Sequence, residues 1–247
     1  MAALSTYDLL KIVHRSLYIQ GTWNYERMLG LGYCFCLIPF ARKKLKDSAE
    51  ISCFLKRHLG FFNTHPYMAG WIIGAVMSLE EQGVARQTVY LQQSERFKKK
   101  MSELLAAIGD QLFWSLIKPL AALLGFGVAL YFQIAGVVVF LTVYNLPHFY
   151  MRTKGVLSGY RKGLDTAKEL SFKRFHQIND RLLQIGAFLV GLVFVLTVST
   201  QIDHRAEMAA FVLSSGGAFS CFRKKALVPA MLVVLILVSA VVGGFFT

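Results

Sequence analysis

The sequence predicts an all-α integral membrane protein, and three observations carry that expectation. Of 247 residues, 55% are hydrophobic and 17% charged, with a mean hydropathy of +0.49. An ordinary soluble domain has about 45–50% apolar and about 25% charged residues. Three long stretches, residues 119–151, 182–202 and 226–247, contain no Asp, Glu, Lys or Arg. The 27 Lys+Arg against 14 Asp+Glu leave a net charge of +13. The basic residues alternate with the apolar stretches instead of lining one soluble face, which is the pattern of loops held beside an anionic cytoplasmic leaflet. The same composition excludes intrinsic disorder and a disulfide framework. Nucleic acid is not an expected partner.

The elements follow in chain order. The N-terminus lacks a basic region followed by a continuous apolar core, so no cleavable signal peptide is expected and the start is placed in the cytoplasm. Residues 20–28, QGTWNYERM, alternate aromatic and polar side chains and predict an amphipathic helix at the membrane interface. Residues 28–41 and 67–79 are apolar runs of about half a spanning length, which predicts interfacial or re-entrant segments. Between them lie Arg42, Lys43, Lys44, Lys46, Lys56 and Arg57, a stretch expected to face anionic lipid. Residues 1–118 therefore read as an amphipathic and re-entrant helical region.

As a single helix, residues 119–151 would reach about 50 Å, well beyond a hydrocarbon core of about 30 Å. The stretch holds Gly125, Gly127 and Gly136, ends near Pro147 and is basic on both flanks. A helical hairpin, with both ends in the cytoplasm, satisfies this better than one tilted span. Residues 152–181 carry eight basic and three acidic residues and read as a cytoplasmic basic segment. Residues 182–247 supply two C-terminal transmembrane helices, 182–202 and 226–247. Arg223, Lys224 and Lys225 in the link between them leave the orientation of this pair open. The whole reads as one multi-pass unit of a cell membrane.

Enzyme signatures are missing from the sequence. It has no phosphate-binding glycine loop, no H-E-x-x-H, no nucleophile elbow and no dinucleotide fingerprint. The six histidines show no i, i+4 pair, and Cys34, Cys36, Cys53 and Cys221 have no zinc spacing. No catalytic residue, metal or cofactor is expected, and the cysteines read as small buried residues.

Polar residues within apolar surroundings are more informative. The run Phe61-Phe62-Asn63-Thr64-His65-Pro66 sets donors and acceptors just before an apolar run. Proline confines the residue before it to extended geometry, so the backbone breaks there. Broken backbone at membrane depth lines a cavity or is buried in protein. Asn63 and Thr64 are thus either a substrate site or the cap of the next helix. Glu80 and Glu81 cannot share one helix face, so at most one points inward; a solvated helix end is the alternative. Asp110, entering the long apolar stretch, is either a functional acid or a helix cap. Trp114 offers a flat face to a sugar ring or anchors the chain at the interface.

Five pieces, QGTWNYERMLGLGYCF (20–35), KRHLGFFNTHPY (56–67), MSLEEQ (77–82), GDQLFW (109–114) and GYRKGLD (159–165), together resemble component IID of the mannose-family sugar phosphotransferase permeases. They occur in the family's order, and the similarity continues through 182–202. The resemblance implies a membrane subunit paired with component IIC, taking up a hexose that soluble IIA and IIB proteins phosphorylate. It also implies a trimer of IIC–IID pairs and no phosphohistidine on this chain. Carried onto this sequence, the substrate-site candidates are Asn63, Thr64, Glu80, Glu81 and Asp110, with Trp114 nearby. A hexose presents many hydroxyls, so several buried donors and acceptors suit it. The chain departs from the family where the pattern G-P-x-A-G-x-G-D is replaced by ELLAAIGD (103–110) and where Gln111 stands for the usual proline. Those departures favour the alternative of a non-transporting docking or regulatory subunit of a complex derived from such a permease.

Overall fold

The computed structural model describes residues 4–86, 89–170 and 172–199. These residues are helical throughout, apart from turns and isolated bridges. In order they form α1 (Thr6–Ser16), α2 (Gly30–Lys44), α3 (Ser48–His58), α4 (Ala69–Arg86), α5 (Val89–Gly109), a π-helical segment (Asp110–Ile117), α6 (Lys118–Phe132), α7 (Ile134–Lys162), a 3₁₀ turn (Gly163–Asp165), α8 (Thr166–Glu169) and α9 (Phe172–Ser199). Two helical stretches, Gln92–Phe132 and Ile134–Glu169, are long and apolar enough to cross a bilayer. The expected span 182–202 falls within α9 as far as Ser199. The link 203–225 and the expected span 226–247 lie outside the described residues.

The chain divides into two compact units. The first comprises residues up to Ser115 together with Tyr144–Asn179. Its centre is α4, whose residues Ala69–Met77 are all buried. A helix apolar on every side is stable only when neighbours surround it. α1, α2, α5 and α7 supply that cover. Against α7 the fit is backbone to backbone. Gly70 and Gly74 face Gly155 and Gly159, and a Cβ on Gly74 would stand 2.4 Å from the Val156 carbonyl oxygen. Four-residue spacing puts small residues on one face of each helix, which lets the two axes approach closely.

Helix starts follow local chemistry. Ser5 and Asp8 form a reciprocal capping box at α1, and the Asp47 side chain caps α3. Residues 20–28 are not helical. Asn24 and Met28 exchange backbone hydrogen bonds of 3.3 and 2.8 Å, Met28 takes a positive φ of 52°, and Leu29 N–H donates to the Phe62 carbonyl at 2.8 Å. A tight turn tied to a distant segment replaces the interface helix that the aromatic–polar alternation predicts.

The second unit comprises Leu116–Val143 and the chain from Asp180 onward. α6 ends at Gln133, whose φ of 39° breaks the helix, and α7 begins at once. The backbones then fold back on each other. A Cβ on Gly136 would lie 2.3 Å from the Gly125 carbonyl oxygen and 2.5 Å from the Ala129 Cβ. Gly186 of α9 packs beside Leu120. Phe126, Phe132, Ile134, Val138, Ile185 and Phe188 are exposed on this unit, an outer surface suited to lipid or to another membrane chain.

Candidate functional site

The irregular segment between α3 and α4 runs from Gly60 to Met68. It is held at one end by the Phe62 N–H, which donates to the Arg27 carbonyl at 3.2 Å, and by the Phe62 ring, 4.3 Å from Tyr33. At the other end the His65 carbonyl accepts from Met68 and Ala69 N–H and so starts α4. Between these ties Asn63 is exposed, whereas Thr64 and His65 are buried at 4% and 1% exposure. Thr64 Oγ1 and His65 Nε2 have no hydrogen-bond partner among the described residues. Buried polar atoms left in that state cost about 1–3 kcal/mol each, so they mark a place where a ligand or partner group would be welcome.

The His65 ring is clamped by the motif that follows α5. It stacks on Phe113 with ring centres 5.2 Å apart and a 17° tilt, and meets Trp114 at 4.9 Å. Gly109 allows this. A Cβ there would lie 2.2 Å from the His65 Cβ. Asp110 opens the π-helical segment and is exposed, and Trp114 is 49% exposed. π-helical turns recur at functional sites. The structure thus brings Thr64, Trp114 and the Gly109–Asp110 junction to one cluster around His65, with Asn63 beside it in the chain.

Glu80 and Glu81 belong to a different constellation. Glu80 is 1% exposed. It accepts from Arg57 and from Ser94 Oγ (2.7 Å), and the His58 Nε2 stands 3.3 Å away. Burial pushes its carboxyl up, but His58, Ser94 and Arg57 outweigh that and hold it below its ordinary value. Glu81 accepts from buried Lys44 and from the Tyr160 hydroxyl. One carboxylate therefore ties α4 to α3 and α5, and its neighbour ties α4 to α2 and α7. Neither is a solvated helix end. No contact among the described residues joins either of them to the His65 cluster.

Three residues of the cluster escaped motif reading: Tyr144, His148 and Arg152. They stand at successive four-residue steps on α7 and share one face. The Tyr67 hydroxyl meets the Tyr144 hydroxyl at 3.1 Å, the Tyr67 ring lies 4.5 Å from His148, and the Arg152 guanidinium lies 5.0 Å over Tyr67. Arg152 also donates to the Ser16 carbonyl. A polar side chain at every fourth position of an apolar helix is a signal the sequence contains.

The family model described as "PTS system mannose/fructose/sorbose family IID component" matches residues 3–215. The chain is 33% identical over 189 residues to the "PTS system mannose-specific EIID component" of Escherichia coli (strain K12), covering 76% of this chain and 67% of that protein. It is 29% identical over 188 residues to the "Fructose permease IID component" of Bacillus subtilis (strain 168), covering 76% and 68%. Among solved structures, a chain of the mannose transporter ManYZ in complex with microcin E492 aligns with a TM-score of 0.63 at 25% identity. That alignment covers 99% of this chain and 97% of the other.

Proposed function

Because the chain belongs to the mannose/fructose/sorbose family of phosphotransferase-system IID components, we propose that it serves beside a IIC subunit in the bacterial inner membrane to take up a hexose. Soluble IIA and IIB proteins phosphorylate that sugar, and this chain carries no catalytic group. The assembly is a trimer of IIC–IID pairs, with basic surfaces on anionic lipid. Asn63, Thr64, Asp110 and Trp114 are its sugar-facing candidates, while Glu80 and Glu81 support the site by holding α4. The observation that carries this reading is the buried hydroxyl of Thr64 and ring nitrogen of His65, both without a partner among the described residues, beside a half-exposed tryptophan. Hydroxyl groups of a sugar supply the missing partners, and an indole face covers the ring's apolar side.

The alternative is a non-transporting docking or regulatory subunit. It is favoured by α5, which runs as unbroken helix through residues 103–109, where the family pattern has glycines and a proline.

Equilibrium binding of labelled hexoses to the purified chain co-expressed with its IIC partner separates the two. Saturable binding, weakened about tenfold or more by Asn63→Ala or Asp110→Ala in an intact complex, supports transport, since each lost hydrogen bond to a buried partner is worth about 1–3 kcal/mol. An intact complex that binds no hexose supports docking.

A further inference from the structure

The basic stretch Arg42–Arg57, which closes α2 and runs to the end of α3, is not a uniform lipid-facing band. Lys44 is 3% exposed and engaged with Glu81, and Arg57 reaches the buried Glu80. Arg42 and Lys43 remain exposed and point elsewhere. With Lys11, His14 and Arg15 of α1 they line an open groove of about 780 Å³ between α1 and α2, floored by Tyr7, Leu10, Ile38 and Pro39. The one acid in the lining, Asp8, is paired with Lys43. Arg15 donates to the Phe35 carbonyl at 2.9 Å and stacks over that ring. Lys11, which lies over the Tyr7 ring at 4.3 Å, and Arg42 have no ion pair among the described residues.

We propose that this groove binds one anionic phospholipid, its headgroup phosphate between Lys11 and Arg42 and its acyl chain along Leu10, Ile38 and Pro39. Charge complementarity selects that occupant. Lys11 and Arg42 stand without an acid partner among the described residues beside the apolar floor of Tyr7, Leu10, Ile38 and Pro39, and just past the end of α1 Leu17 and Tyr18 are exposed, side chains suited to the headgroup boundary. A free inorganic phosphate would use the cations and leave the apolar floor uncovered. The site is independent of hexose binding.

The test is native mass spectrometry of the full chain in detergent, titrated with phosphatidylglycerol and, separately, phosphatidylcholine. One phosphatidylglycerol should be retained, clearly preferred over phosphatidylcholine. Lys11→Gln and Arg42→Gln should each lower the phosphatidylglycerol affinity about fivefold, at roughly the per-residue strength of a surface cation. The double variant should bind both lipids alike. Lys46→Gln, exposed and outside the groove, should change nothing. Equal retention of both lipids by the unaltered chain overturns the proposal. So does a preference that survives in the double variant, or displacement of the lipid by equimolar inorganic phosphate.

Discussion

Gly109→Ala is the sharpest probe of the His65 cluster. The added methyl would lie 2.2 Å from the His65 Cβ, 2.3 Å from Cγ and 2.9 Å from Nδ1. Ordinary contact begins near 3.4 Å, so the groups must separate by more than about 1 Å, and neither is the free end of a flexible chain. His65 is 1% exposed and stacked on Phe113, so its displacement loosens the aromatic packing as well. Overpacking of a tight core costs about 1–3 kcal/mol. Alanine regains about 0.5–1 kcal/mol over glycine in a helix. The net expectation is a loss of about 1–2 kcal/mol, or a fall in Tm of roughly 2–8 °C for a chain of this size. Thermal unfolding of the purified chain in detergent reads it, together with His65→Ala and the double variant. Removing the ring should relieve the clash, so the double variant should be more stable than additivity predicts by about 1 kcal/mol or more, within the range seen for residues in contact. A Gly109→Ala variant as stable as the parent, or strictly additive effects, would refute the close approach of α5 to His65.

Two further perturbations test the frame around the site. Gly74→Val drives a branched side chain into the Val156 carbonyl and the Tyr160 N–H at 2.4 and 2.7 Å. It should destabilise by about 3 kcal/mol or abolish folding, at the upper end for overpacked cores, whereas the same change at exposed Gly60, where a Cβ meets nothing within 4 Å, should be tolerated in thermal unfolding. Glu80→Gln leaves Arg57 and His58 without their carboxylate and should cost about 3–5 kcal/mol, as removal of one partner from a buried pair does. Because the folded state holds the Glu80 carboxyl below its ordinary value of 4.5, its contribution is present above that pH and lost as the pH falls through the folded value. The parent's Tm should therefore drop on acidification below about 4.5, with a shallower drop in Glu80→Gln.

The class of the fold was legible because it depends on composition and on run length. The apolar stretches and the basic intervals between them belong to single segments, and the family pieces lie in order along the chain. What escaped was set by partners far apart in sequence. Residues 20–28 look like an interface helix when read alone; the strap from Leu29 to Phe62 and the positive φ of Met28 make them a turn. Arg57 and Lys44 look like lipid-facing cations until α4 offers each a carboxylate 23 and 37 positions away. Of the site candidates, Trp114 packs on the ring of His65, the residue after Thr64, which the sequence shows in the run 61–66 without marking it as a site residue. The glutamates, adjacent in sequence, diverge because successive helix positions point about 100° apart. Tyr144, His148 and Arg152 are visible as a polar stripe, but their aromatic partner Tyr67 comes from the irregular segment before α4, about 80 positions away in the chain.

Interactions within the first unit are distributed unevenly. α4 is held on nearly every side by devices that cannot slip: a glycine seam against α7, and the Glu80 and Glu81 pairs to four other helices. A small displacement there would either drive backbones together or leave a buried charge alone, and each is costly. The segment just before α4 has the opposite character, with exposed Asn63 and two buried polar atoms that lack partners among the described residues. Fixing α4 fixes where that segment ends, so the unpaired groups of Thr64 and His65 are presented at a defined position even though their own bonding is incomplete. Preorganised but unsatisfied groups are what a polar ligand binds with least loss of freedom. It follows that a change at Glu80 should alter ligand binding only through the position of α4. A change at Thr64 should weaken binding without a matching loss of stability.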